Sequence, residues 1–179
     1  MKKKLLIAIA SAFALTTPLV QAASDYLLEI DGIKGESSDA THSGAIEIQS
    51  FSWGVSNAGT VSGGGGGAGK VSFQDFHFTC SAGKATPKLM LACATGQHIK
   101  KAVLFVRKSG GDATPYIKVT LEDILVSSVA QTGRPTPDAD PKPTEQVSLN
   151  FTKITYEHIS DDGTSETATV DTSSNTAGN

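Results

Sequence analysis

The feature of this sequence that most constrains its fold is a run of glycines between two alternating segments. Residues 63–67 are five consecutive glycines. Apolar and small polar residues alternate on both sides, through Phe51 and Trp53 before the run and through Phe73 after it. Alternation with a period of two predicts strands that bury one face. The sequence therefore predicts two strands joined by a glycine-rich connection over residues 57–69.

This connection is far longer than the roughly two to five residues that a tight hairpin needs. Fixing the backbone of each residue costs about 1–2 kcal/mol, and glycine leaves the backbone unrestrained. Two interpretations remain open: a flexible tether, or an arm that becomes ordered when it meets a partner. We take the arm as the working hypothesis.

Three of the expected strands change the phase of their alternation part of the way along. The apolar positions shift by one residue near Gln49 and Ser50, near Asp75, and again near Thr152 and Lys153. Such a slip turns every following side chain to the other face of the sheet unless a bulge absorbs it. Because bulged strands bend, successive bulges indicate a strongly curved sheet or a barrel.

One helix interrupts about seven expected strands. Thr86 is suited to cap this helix, Pro87 to its first turn and Gly96 to the position after its end. The residues expected to face the sheet are Leu89, Met90, Cys93 and Ala94. Consecutive strands with a single helix predict a mainly β fold, either an antiparallel barrel or a sandwich.

Both ends of the chain differ in composition from its middle. Residues 1–22 combine a basic start, an apolar run over residues 5–15 that is too short to span a bilayer, and small residues at the end. These features predict a secretory signal peptide, with a retained membrane anchor as the alternative. Residues 23–160 form the expected domain. Residues 161–179, rich in Asp, Gly, Ser and Thr, are predicted to be a disordered tail.

The charge of the chain argues against two classes of partner. The net charge is −3, and removal of the leader with its three lysines changes it to −6. An acidic domain is repelled by nucleic acid and by anionic membrane surfaces. We therefore predict neither as a partner.

No arrangement of reactive residues predicts catalysis. The glycine run matches parts of nucleotide-binding motifs, but a strand rather than a helix follows it, and Val71 stands where a phosphate loop needs Ser or Thr. The histidines are isolated from one another in the sequence; they are His42, His77, His98 and His158. The sequence predicts no catalytic residue, no cofactor and no metal site.

The two cysteines, Cys80 and Cys93, leave two alternatives open. In an oxidising compartment they could pair in a disulfide that contributes about 3 kcal/mol to stability. The other alternative is two free thiols that behave as small hydrophobic side chains.

Seven blocks of the sequence resemble the haemolysin-coregulated protein (Hcp) family, in the same order. They are DYLLEIDGIKGES (25–37), ATH (40–42), SFSWGVSNAG (50–59), GGGGGAGKVSFQDFHFT (63–79), ATPKLMLACATGQH (85–98), VRKSGG (106–111) and VTLEDILVSSV (119–129). The resemblance extends over residues 25–156, nearly all of the expected domain.

The resemblance implies a compact β-barrel of two antiparallel sheets with one flanking α-helix and a long glycine-rich extended loop. It implies a homohexameric ring with a wide central hole, stacked head-to-tail into the inner tube of a type VI secretion machine. The implied partners are copies of the chain itself, the spike protein and sheath of the machine, and effector proteins in the lumen. The resemblance assigns contact with the next ring to a loop that includes Asn57, Gly59, Val61, Gly63, Gly64, Gly65, Gly66, Gly67, Gly69 and Lys70.

The leader departs from the pattern of this family, whose members begin near the position of Asp25 without a signal peptide. Export would make the protein secreted, with transit through the periplasm. If the leader is unused, assembly takes place in the cytoplasm. The alternative function for an exported protein is a binding or adhesion module that does not form the tube.

Overall fold

The structure is a computed structural model that describes residues 24–58, 71–109, 114–133, 142–173 and 176–178. The expected signal peptide lies outside these ranges. Within them, no helix has the length and apolar character needed to cross a lipid bilayer.

Ten strands and one helix make up the described residues. The strands are β1 (Ser24–Ile30), β2 (Ile46–Ser52), β3 (Val55–Asn57), β4 (Val71–Phe73), β5 (Phe76–Ser81), β6 (His98–Lys108), β7 (Pro115–Thr132), β8 (Thr144–Ile159), β9 (Ser165–Asp171) and β10 (Thr176–Gly178), and the helix is α1 (Thr86–Thr95).

Six of these strands close a barrel in which every pairing is antiparallel. The order around the barrel is β8, β5, β2, β1, β6 and β7, and β7 pairs with β8 to complete the circle. Strands β9 and β10 extend the sheet beyond β8, whereas β3 and β4 form a separate two-stranded sheet. The predicted mainly β barrel with one helix is confirmed.

The phase slips in the sequence correspond to irregularities in the strands. The register between β2 and β5 shifts between Ile48 and Ser50, and the chain leaves the strand conformation at Asp75. In β8 the buried positions move from Phe151 to Ile154. Strand β7 is continuous across Glu122 and Asp123, and Asp123 is accommodated within it at a φ of 52°.

The barrel interior is filled by the inward residues of all six strands. Phe76, Ile124 and Leu149 are completely buried and belong to one continuous core. Full burial of a side chain of this size contributes about 1.5–3 kcal/mol. The core therefore supplies the main driving force for closing the barrel.

Helix α1 packs on the barrel with part of the predicted face. Leu89 is buried and Cys93 packs against the core, as predicted, but Ala92 is the second buried residue and Met90 is 61% exposed. The N-cap is Ala85, and Thr86 instead accepts a hydrogen bond at Oγ1 from the Gly83 amide at 2.9 Å. The predicted end is correct, since Gly96 adopts the left-handed conformation with φ of 62°.

The prediction of a disordered tail over residues 161–179 was wrong for much of this segment. Strand β5 pairs with β8 only as far as Leu149, so the edge of β8 beyond it is left for another strand. Strand β9 pairs with that edge from Lys153 to Ile159. Order here comes from backbone pairing to β8 rather than from apolar content, which is why the polar composition was misleading.

Candidate self-association surfaces

Strands β3 and β4 form a two-stranded arm that continues the β2–β5 pair after a bend. Val55 pairs with Phe73 and Asn57 with Val71, and the Gln74 amide donates to the Gly54 carbonyl at 2.9 Å. Within the described residues, these two strands pair only with each other. All of β3 is exposed, and Val55 keeps 55% of its surface accessible.

Aromatic contacts attach this arm to the barrel. The ring centroids of Trp53 and Tyr156 lie 6.2 Å apart, and those of Phe73 and Phe151 lie 6.1 Å apart with nearly perpendicular planes. Aromatic pairs at such distances contribute about 0.5–1.5 kcal/mol each beyond the area they bury. The arm therefore leaves the barrel from a packed base, which we call the arm root.

The structure describes only one of the residues predicted to contact a neighbouring ring. Asn57 is the last residue of β3. The others lie outside the described residues; they are Gly59, Val61, Gly63, Gly64, Gly65, Gly66, Gly67, Gly69 and Lys70.

A second surface, which we call the polar face, covers the outer side of β5, of the second half of β2 and of the neighbouring parts of β8 and β7. Its residues are Ser50, Ser52, His77, Thr79, Ser81, Ser128, Ala130, Thr132, Thr144, Gln146 and Ser148. None of them is Asp, Glu, Lys or Arg, although the chain has 33 such residues (15 basic and 18 acidic). Two carboxylates lie at its borders: Glu47 is exposed in the first half of β2, and Asp75 accepts hydrogen bonds from Ser127 and Asn150.

Side-chain hydrogen bonds run across the polar face from strand to strand. Ser50 Oγ and Thr79 Oγ1 lie 2.7 Å apart, and His77 Nδ1 and Ser148 Oγ lie 2.8 Å apart. His77 is therefore exposed on the outer side of β5. The polar face could not be recognised as a unit from the sequence. Its signal was the repeated Ser, Thr or Gln at the outward positions of several strands.

The outer side of β1, β6 and the remaining parts of β7 and β8 forms a contrasting surface, which we call the ion-paired face. Cross-strand pairs on it join Lys118 to Glu157 at 3.4 Å and Lys153 to Glu122 at 3.0 Å. Opposite charges in neighbouring positions satisfy each other locally.

Arg107 fastens the loop between β1 and β2 to the ion-paired face. Its guanidinium donates to Asp39, and its Nε lies 3.5 Å from the Asp25 carboxylate. The hydrogen bond from Arg107, with further donors from Thr41 and His42, holds the pKa of Asp39 well below its ordinary value. The same loop contributes His42, whose ring packs 4.1 Å from Phe105 and whose Nδ1 lies 3.0 Å from Glu29.

A polar groove of about 830 Å³ lies beside this loop, and buried Glu145 lines it. Glu145 is 1% exposed and accepts a hydrogen bond from Gln131 Nε2 at 3.1 Å. Two ion pairs also line the groove, Arg107 with Asp39 and Lys142 with Glu36. Nowhere in the described parts of the chain do three His, Cys, Asp or Glu side chains gather in a way that could hold a metal ion.

Cys80 and Cys93 are both free thiols in this structure. Cys80 is buried, and its Sγ lies 3.9 Å from Glu145 Oε2. Burial, followed by the proximity of the Glu145 carboxylate, raises the pKa of Cys80 to about 12. This thiol therefore stays protonated and unreactive at neutral pH.

Comparison with known proteins gives consistent matches over most of the chain. A family model described as "Type VI secretion system effector, Hcp" matches residues 27–158. Protein hcp1 of Pseudomonas aeruginosa is 41% identical over 138 residues, which cover 76% of this chain and 83% of that protein.

Solved structures resemble the fold over almost their whole length. The crystal structure of Hcp1 from Salmonella typhimurium matches with a TM-score of 0.73 and 33% identity, covering 87% of this chain and 99% of that one. A structure described as a type six secretion system protein matches with a TM-score of 0.77 and 25% identity, covering 87% of this chain and all of the other.

Proposed function

Because the chain belongs to the Hcp family of type VI secretion proteins, we propose that it forms homohexameric rings that stack into the inner tube of the secretion machine. The observation that carries this proposal is the β3–β4 arm. Each arm strand pairs on one side only among the described residues, and such strand edges accept a strand from another molecule. Contacts that close by rotation make rings, and contacts that repeat along an axis make tubes.

In this proposal the arm makes the contact between rings. Asn57 and the glycine-rich residues after it meet the next ring, where a backbone without side chains approaches a strand edge closely. The exposed Val55 adds an apolar contact at the base of the same surface. The spike protein and the sheath are the further partners of the resulting tube.

The polar face is the surface that we assign to the lumen and to effector proteins. A transport channel has to accept cargo of differing charge. A channel wall with a net positive or negative charge would repel cargo of the same sign. Serine, threonine and glutamine side chains offer hydrogen bonds without such repulsion. The absence of charged residues from the polar face supports this assignment.

We propose a structural role and no enzymatic one. Catalysis needs titratable groups that converge on a cleft with perturbed pKa values. At the polar groove Arg107 pairs with Asp39 and Lys142 pairs with Glu36, and the buried Cys80 is held in its unreactive protonated form.

A separately exported binding or adhesion module is the second candidate, favoured by the leader-like composition of residues 1–22. N-terminal sequencing of the protein from culture supernatant separates the two. A chain that begins at Ala23 or Ser24 supports export by the general route, whereas one that begins at Met1 rejects the predicted cleavage.

Electron microscopy of the purified domain tests the tube proposal. We expect rings and stacked tubes from the intact domain, and rings without tubes after deletion of residues 63–67. As a matched control, deletion of residues 136–140 removes the same number of residues from the connection between β7 and β8, and we expect it to leave the tubes intact. Only monomers from the intact domain at high concentration would contradict the proposal.

A further inference from the structure

Strand β8, which carries the arm root, is held in place partly by its pairing with strand β9. The edge of β8 next to β5 is paired only as far as Leu149. From Lys153 onward β9 takes the place of β5, and Thr172 continues the attachment by donating its amide to the Thr152 carbonyl at 2.7 Å. Without β9, this half of β8 would have one unpaired edge.

Residues 151–156 of β8 supply the barrel side of the arm root. Tyr156 contacts Trp53, which lies just before arm strand β3. Phe151 contacts Phe73, the last residue of arm strand β4. Val170 of β9 is partly buried against the same core. Both strands of the arm are thus attached to one barrel strand, and β9 packs beside that strand.

The two arm strands are also joined by their backbones where they leave the barrel, since the Gln74 amide donates to the Gly54 carbonyl at 2.9 Å. Both strands therefore move together at this point. Because each of them also has an aromatic contact with β8, the direction of the arm follows the direction of β8.

We propose that Trp53, Tyr156 and strand β9 are the positioning elements that aim the arm at the neighbouring ring. The proposal rests on the stacking function proposed above and adds a role for a segment outside the family match, which ends at residue 158. Loss of β9 or of the Tyr156 ring leaves the barrel closed through β5, β7 and β8 but frees the arm to adopt many directions. Rings with a freely moving arm should stack more weakly, because the arm must then lose conformational freedom when it binds the next ring.

The single tryptophan of the chain gives a direct test, because Trp53 lies in the root itself. We would compare the full chain, a chain that ends at Ser160, and Tyr156→Leu, which keeps β9 and removes the aromatic partner. A chain that ends at Ser173 removes β10 and keeps β9, and it serves as the matched control. Trp53 emission and acrylamide quenching report the packing of the root, and electron microscopy reports rings and tubes.

We expect red-shifted emission and stronger quenching for the chain that ends at Ser160 and for Tyr156→Leu, with rings retained and stacked tubes lost. The control keeps both the emission and the tubes of the full chain. Unchanged quenching in both test variants, or tubes as abundant as those of the full chain, would overturn the proposal. If the full chain itself forms no tubes, the stacking function fails, while the quenching comparison still decides whether β9 orders the root.

Discussion

The polar face and the ion-paired face are built on the same barrel, and strand β8 contributes to both. Its first half presents Thr144, Gln146 and Ser148 outward, and its second half presents Lys153 and Glu157. Both halves bury their alternate residues in the same core. The fold therefore requires apolar residues at the inward positions of the strand but does not determine the residue types at its outward positions. The contrast between the two faces is the main structural argument for our proposal that the polar face lines a lumen.

A charge placed on the polar face should have the largest effect. Ser148→Lys, repeated around a ring, would present a circle of cations to any cargo, and like or unpaired charges at an interface cost several kcal/mol. We expect effector proteins to co-purify with the rings at least about tenfold less, which corresponds to 1.4 kcal/mol. Thermal stability should stay close to that of the unchanged protein, because the site is on the surface.

Thr167→Lys is the matched control for this variant. It places the same cation opposite Glu157 on the ion-paired face, at an exposed position of β9. Co-purification should be unaffected there. Equal losses from both variants would mean that the two faces do not differ in function.

The curvature of the barrel was predictable from the sequence, whereas the two outer faces were not. The phase slips near Gln49 and Asp75 are local signals that a bulge or break must resolve, and they appear in the structure where they were expected. The polar face depends on which strands become neighbours, since His77 meets Ser148 only because β5 pairs with β8. Strand β9 escaped prediction because the adjacent strand β8 offers it a free edge only where pairing with β5, a strand far away in the sequence, has ended.

The next prediction concerns Asp39, which holds the loop between β1 and β2 on the ion-paired face. Its pKa is lowered in the folded protein, chiefly by the hydrogen bond from Arg107. A lowered folded pKa contributes stability above the ordinary value of about 4, and this contribution is lost as the pH falls through the folded pKa. Asp39→Asn should therefore lower Tm at pH 7, and its difference from the unchanged protein should shrink progressively below about pH 4.

Asp161→Asn is the control for this titration. Asp161 is almost fully exposed and lies 3.5 Å from Lys108 Nζ, so removing its charge should change Tm little at any pH. A Tm difference for Asp39→Asn that stays constant from pH 7 to pH 3 would show that the carboxylate charge does not hold the loop.

The smallest expected effect concerns the ion pairs that distinguish the second face. Lys153 and Glu122 are 3.0 Å apart and both remain partly exposed, so solvent screens their attraction. A double-mutant cycle with Lys153→Ala and Glu122→Ala should give a coupling of about 0.2–1 kcal/mol that decreases with added salt. A salt-independent coupling well above this range would mean that the ion-paired face stabilises the barrel. A small coupling would mean that stability comes mainly from the core that both faces share.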